Sequence, residues 1–232
     1  MDPVERQEME VDIACVGFGP AMGGFLTTLG RALAEHAGDP GFGSSALPGL
    51  PLQVACYERA DDLGFGVSGV ATRARAIRTT FPGLDPAQIP MAHPIRHEEL
   101  VYLLDPHGAS RRSRILRSLD GLLRTARVGE ARSRHGVRLP YVPPFLRKDD
   151  GLVLSIGQFN QWVGSQVMAA GQVQIWPASP VAGPRIERGA VSGIRLVDQG
   201  VEPSGEPGPG YLPGMDVRAR LTVVGDGAVG AV

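Results

Sequence analysis

The chain has 232 residues, a formal net charge of −1, 43% hydrophobic residues and 20% charged residues. That suits one medium domain, or one and a half small ones, with a real apolar core, and it excludes a protein that coats nucleic acid. Two cysteines, Cys15 and Cys56, are too few for an iron–sulfur cluster or a four-cysteine zinc site and make no disulfide framework, so a reducing, cytoplasmic compartment is expected.

Val11 to Val16 is a short β-rich apolar run, as expected of a buried parallel strand. Gly17-Phe18-Gly19-Pro20 turns the chain. Met22, Leu26, Leu29 and Leu33 recur at helical spacing and predict a helix from Ala21 to His36. Residues 37–50 are a Gly/Pro/Ser loop, and Leu52 to Tyr57 is a second buried strand ending in Glu58-Arg59. Strand, glycine turn, helix and strand make a βαβ unit. An irregular loop with GFGVSG follows. Residues 81–147 differ in character: a proline-rich run, a strand candidate ELVYLL, and a basic stretch around RRSRILRSLDGLLRTAR.

From 148 the order returns. Leu152 to Ile156 reads as extended. Phe159, Trp162, Val163 and Val167 share a helix face, with both tryptophans read as core. Residues 173–198 read as a β-meander with a tight turn at Arg188-Gly189. Residues 200–214 read as a Gly/Pro loop, and Met215–Val224 as the last long strand, followed by GDGAVGAV. No stretch approaches the roughly 20 apolar residues that cross a bilayer, and the polar start MDPVERQEME is not a signal peptide.

Gly17-x-Gly19 after a strand and before a helix is the setting of a dinucleotide-binding turn. Gly17 permits the tight turn, Gly19 lets the backbone approach a pyrophosphate, and the helix N-terminus offers N–H groups and a favourable dipole. Glu58 is placed to accept from a ribose hydroxyl, which favours an unphosphorylated ribose, so FAD or NAD. Two departures stand out. The sixth position is Met22, whose bulk is expected to crowd helix–strand packing, with Gly23 one residue late. Glu58 also lies 39 residues beyond Gly19, against about 20 usually, an excess the 37–50 loop absorbs.

The segments VDIACVGFGPA, YERADDLGFGVSG, VLSIGQFNQWVGSQVMAAGQVQIWP and PGMDVRARLTVVGDGAVGAV resemble, in that order, the FAD-binding parts of the electron-transfer-flavoprotein:ubiquinone oxidoreductases. The likeness spans about two thirds of the chain. Within 81–147 it rests on ELVYLLDPHG and the basic and proline-rich runs after it. The resemblance implies a Rossmann-like FAD-binding fold of the glutathione-reductase type. Electron-transfer flavoprotein would be the donor and a quinone the acceptor. It places Gly17, Gly19, Pro20 and Ala21 at the pyrophosphate turn, Glu58 and Arg59 at the acid–base pair with Glu58 on the ribose, and Gly64, Ser68 and Gly69 near the flavin ring. Val181 would meet adenine through its backbone. Asp226 and Gly227 match the acid–glycine step of the late strand, with Gly230 after it. Ser155 stands where an arginine that helps hold the cofactor is usual. The family continues with a later glycine–aspartate motif, a quinone region and a four-cysteine module holding a 4Fe–4S cluster. None of these is in this sequence, so it reads as an N-terminal piece without the cluster and not necessarily active alone.

Other signals have plainer readings. GDGAVG matches G-x-G-x-x-G and allows a second nucleotide site, though a single FAD is preferred. GFGVSGV lacks the second glycine of a nucleophile elbow. His93 and His97 could share a metal face on a helix, but Pro94 argues for a loop. Residues 111–127 are basic and amphipathic: a solvated outer helix, or a peripheral contact with the inner face of a bacterial membrane.

The expectation is an α/β flavoprotein oxidoreductase in three parts: a dinucleotide-binding start (1–80), an inserted region resembling part of the substrate or quinone domain (81–147), and the rest of the FAD-binding domain (148–232). The alternatives are an NAD(P)H-dependent flavin monooxygenase-like protein and a non-catalytic nucleotide-binding remnant.

Overall fold

The computed structural model describes all residues except 1–4, 66–68, 105–112, 127–135, 229 and 231. In chain order the elements are β1 (Glu8–Val16), α1 (Pro20–Glu35), β2 (Val54–Tyr57), β3 (Gly69–Thr72), α2 (Arg75–Thr80), β4 (His93–Pro94), β5 (Val101–Leu103) and α3 (Arg114–Ala126). Then come β6 (Gly136–Arg138), β7 (Leu152–Ser155), α4 (Ile156–Ala169), β8 (Val173–Trp176), β9 (Val181–Glu187), β10 (Ala190–Leu196), β11 (Gln199–Val201), β12 (Pro207–Leu212) and β13 (Asp216–Val224). The chain divides into two units, one of residues 1–70, 74–93 and 153–232, the other of 71–73 and 94–152.

The first unit is built on a six-stranded sheet in the order β8-β2-β1-β13-β10-β9. β1 lies parallel to both β2 and β13, and β2 parallel to β8. β10 closes the row antiparallel to β13 and β9. Val11 to Val16 are all buried, as a central parallel strand covered on both faces requires. α1 buries Met22, Gly23, Leu26 and Gly30, and α4 buries Phe159, Val163, Gly164 and Val167. The helices meet closely at Gly23, where a Cβ would lie 2.9 Å from Val163 Cγ1. A second cluster joins Ala14, Val16, Ala55 and Tyr57 to Val181, Ile194 and Val217 of the neighbouring strands. The α/β expectation, with a Rossmann-like parallel sheet at its centre, is met.

The long β1–β2 connection is pinned by one buried carboxylate. Asp12 is 4% exposed. It accepts from Ser44 Oγ at 2.6 Å, Ser45 Oγ at 2.7 Å, and the N–H groups of Ser45 and Gln53 at 2.8 Å. The loop therefore adds length without disturbing the βαβ unit.

Four expectations change. β8 is not part of a meander: it pairs with β2 at the far edge of the parallel sheet, and only β9 and β10 form the hairpin. Trp176, at the tip of that edge strand, is 44% exposed rather than core, while Trp162 packs against Phe81 with ring centroids 5.0 Å apart. Residues 200–214 are not a plain loop, since β11 and β12 pair antiparallel. Gly- and Pro-rich strands show no apolar alternation. Their hold is on polar groups: Tyr211 Oη donates to Asp198 Oδ2 at 3.0 Å, and Arg6 clasps the same carboxylate. Finally, Met22 does not crowd the helix–strand contact. It is 2% exposed and sits opposite Gly225, where a Cβ would come within 3.0 Å of Met22 Cε. The missing glycine of the first turn is compensated by one in the last.

The second unit contains the antiparallel pair β5–β6 and the helix α3. Asp120 of α3 is 1% exposed and accepts from Tyr102 Oη at 2.8 Å. Ile115, Leu116, Leu119 and Leu122 are exposed. α3 thus buries a polar residue and shows solvent four apolar ones.

Candidate functional site

A cavity of about 390 Å³ opens at the C-terminal ends of β1, β2 and β13, where open α/β sheets bind their ligands. The first glycine turn forms one wall. Gly17 has φ +81°, and a Cβ there would lie 2.7 Å from Asp226 Cα, so only glycine lets the first and last turns meet backbone to backbone. Gly19 differs: a Cβ on it would have no atom within 4 Å. The space above it is open.

α1 starts immediately beyond. Gly19 is its N-cap, gives no side-chain cap, and is followed by no acid in the first turn. The helix ladder begins with Gly23 N–H donating to Gly19 O at 2.8 Å. The earlier N–H groups and the positive end of the helix dipole are therefore left for an anion. Pro20 and Ala21 are the first helical residues and lie outside the cavity lining. Proline suits that position because it has no N–H to leave unpaired.

Glu58 forms the opposite wall. Its Oε2 accepts from Phe18 N–H at 2.5 Å and its Oε1 from Ala60 N–H at 2.9 Å. The carboxylate is thus fixed across the mouth of the turn. Arg59, Val181, Asp226, Gly227 and Gly230 also line the cavity. Asp226 accepts from Val232 N–H at 3.3 Å. The GDGAVG turn and the GFGP turn share one cavity, so the late match is no separate pocket.

Not every expected residue is here. Gly64 is absent from the lining and packs against the start of α4: a Cβ on it would be 2.8 Å from the Gln161 side chain. Gly69 opens β3, exposed and away from the cavity. Ser68 lies outside the described residues. Ser155 is the N-cap of α4, its Oγ accepting from Gln158 N–H at 3.4 Å, so the serine that departs from the resemblance has a structural task. Tyr57 and Asn160, 2% and 5% exposed, also line the cavity and were not expected. Tyr57 hid in a run that reads as plain strand. Asn160 hid between two aromatics on an amphipathic helix.

A larger cavity, about 770 Å³, lies at the opposite ends of the strands, against the last turn of α1 and the 37–53 connection. There the helix dipole is negative, the wrong sign for a phosphate. Among the described residues no group of three or more His, Cys, Asp or Glu is placed to hold a metal ion. His93 lies in a strand and His97 in a loop, its Nε2 2.9 Å from Glu99 Oε1, so no helix presents both. No described helix is long and apolar enough to cross a membrane.

No protein-family model matches the chain. It is 25% identical over 232 residues to the electron transfer flavoprotein-ubiquinone oxidoreductase of Pseudomonas aeruginosa, covering 99% of the chain and 35% of that protein. The mitochondrial protein of the same name from Sus scrofa is 24% identical over 230 residues, 98% of the chain and 31% of its own length. That of Caenorhabditis elegans is 35% identical over 95 residues, 40% of the chain and 15% of its own length. The chain resembles the electron transfer flavoprotein-ubiquinone oxidoreductases over nearly its whole length. It spans about a third of the length of the first two relatives. Among solved structures, Pseudomonas aeruginosa PqsL in complex with 2-aminobenzoylacetate matches with a TM-score of 0.48 and 13% identity, over 92% of the chain and 42% of PqsL. A geranylgeranyl bacteriochlorophyll reductase-like protein of Thermoplasma acidophilum matches with a TM-score of 0.46 and 16% identity, over 95% of the chain and 40% of that protein.

Proposed function

We propose that this chain is the FAD-binding part of an oxidoreductase of the electron-transfer-flavoprotein dehydrogenase kind. Its flavin would take electrons from a reduced flavoprotein and pass them towards a quinone. One observation carries the reading: the uncapped start of α1, the Glu58 carboxylate and the Asp226-Gly227 turn line a single cavity, in a chain that resembles those oxidoreductases from end to end.

Bound FAD supplies the redox chemistry, and the protein supplies position and electrostatics. The N–H groups at the start of α1 hold the pyrophosphate, with Gly19 leaving room for it. Glu58 keeps its bonds from Phe18 and Ala60 N–H and would accept from a ribose hydroxyl on a remaining lone pair, and its charge repels a 2′-phosphate. Val181 borders the adenine. Asp226 and Gly227 hold the far side. No side-chain acid, base or nucleophile is needed. Burial pushes the Cys15 thiol up to about 12, and raises Cys56 likewise, so neither offers a thiolate. On α3, Arg114 and Arg117 flank the exposed Ile115, Leu116, Leu119 and Leu122. That pattern suits peripheral contact with an anionic membrane surface.

The test is reduction of the FAD-loaded chain under anaerobic conditions. Reduced electron-transfer flavoprotein is expected to bleach the bound flavin, and NADH or NADPH to leave it oxidised. Bleaching by NADPH alone would overturn the donor and favour a monooxygenase.

A further inference from the structure

β2 is four buried residues, Val54-Ala55-Cys56-Tyr57. Three are apolar, and the fourth carries a hydroxyl. The Tyr57 backbone is committed: its carbonyl accepts from Gly17 N–H at 2.8 Å, tying the strand to the glycine turn. Its side chain belongs to the buried cluster that also holds Val16 and Val181. Its hydroxyl has no hydrogen-bond partner among the described residues, although the residue is only 2% exposed. Buried tyrosine hydroxyls ordinarily find a partner, and an unpaired one is costly. A phenylalanine would fill the same volume without that cost.

Position resolves the anomaly. Tyr57 lines the cavity together with Val16, Glu58 and Val181. These residues bound the part of the cavity assigned above to ribose and adenine, next to the helix start assigned to the pyrophosphate. A protonated phenol is a donor, and adenosine offers acceptors in its ring nitrogens and ribose oxygens. Burial pushes the Tyr57 phenol further up from its ordinary value, so it keeps its proton at neutral pH.

We infer that the Tyr57 hydroxyl donates a hydrogen bond to the adenosine half of the bound dinucleotide, and so helps the chain select an adenine dinucleotide over a flavin mononucleotide. The inference rests on the FAD reading and adds to it a contact from the strand residue just before the ribose acid.

Tyr57→Phe removes one oxygen and keeps the ring. FAD and ADP, the latter carrying only the adenosine diphosphate half, are titrated into both chains by calorimetry, with thermal unfolding of each chain recorded alone. The variant is expected to melt no lower than the parent and to bind FAD and ADP each about three- to tenfold more weakly. In the parent chain carrying ring-labelled tyrosine, ADP is expected to shift the Tyr57 Cζ resonance. Equal binding of both ligands by parent and variant overturns the inference while leaving the FAD reading intact, as does weakening of FAD without ADP. A folded parent that binds neither FAD nor ADP fails the FAD reading itself.

Discussion

Two glycines two positions apart do opposite work. Gly17 is needed by the fold, with φ +81° and Asp226 against it; Gly19 has ordinary extended backbone and nothing near it. Gly17→Ala is expected to cost about 1–3 kcal/mol, seen as a lower denaturation midpoint. Gly19→Val, at the N-cap of α1, is expected to lower that midpoint less than Gly17→Ala does and to abolish FAD binding, because its side chain fills the space a pyrophosphate needs. Asp12 makes a second prediction. Burial pushes its carboxyl up, but hydrogen bonds from Ser44, Gln53 and Ser45 outweigh that and hold it well below the ordinary carboxylate range. A depressed folded-state pKa means stabilisation that is full above the unfolded value of about 3.9 and lost as pH falls towards the folded one. Asp12→Asn is therefore expected to lose about 1–3 kcal/mol at neutral pH, with the gap to the parent narrowing below about pH 4. A gap that stays constant from pH 7 to pH 3 would contradict the network. At this scale the meeting of Gly17, Gly19 and Glu58 at one turn was legible because it follows from local order along the chain. Met22, Ser155 and Tyr57 were not, because each is explained by a residue distant in sequence or by a contact invisible in the pattern: Gly225 opposite Met22, the α4 cap for Ser155, an unpaired hydroxyl for Tyr57.

At the scale of elements, the β1–α1–β2 unit was readable because burial of parallel strands and helical spacing leave strong periodicities. β8 was recognised as a strand but given the wrong neighbours. Four residues, three of them apolar, carry no record of whether they pair with β2 or β9, and sheet order is a long-range property. The β11–β12 hairpin was missed because its strands are held by backbone pairing and the Asp198 anchor rather than by an apolar face. The α1–α4 contact gives a test of packing. Gly23→Ala gains helix propensity, about 1 kcal/mol, but puts a Cβ 2.9 Å from Val163 Cγ1. Crowding is expected to win, for a net loss of about 1 kcal/mol. Combined with Val163→Ala, the loss should be smaller than the sum of the two single variants, as chemical denaturation would show. On α3 the exposed leucines and arginines predict binding to anionic vesicles that salt weakens. Leu119→Glu, on the exposed face, should remove that binding while leaving the helix signal unchanged; vesicle binding that persists would mean another surface is responsible.

At the scale of the molecule, two glycine turns at opposite ends of the sequence, Gly17-Gly19 and Gly225-Gly227, line one cavity, and the FAD proposal rests on it. The sequence alone left a second nucleotide site open after β13, since GDGAVG satisfies the same pattern as a dinucleotide turn. The sheet order favours a single site: it sets β13 beside β1 and brings the two turns into backbone contact. The most direct measurement is the stoichiometry of FAD binding to the purified chain by calorimetry, repeated in the presence of NADH. One FAD per chain and no additional NADH site are expected. Two independent nucleotides per chain, or no FAD bound by a folded chain, would contradict the proposal.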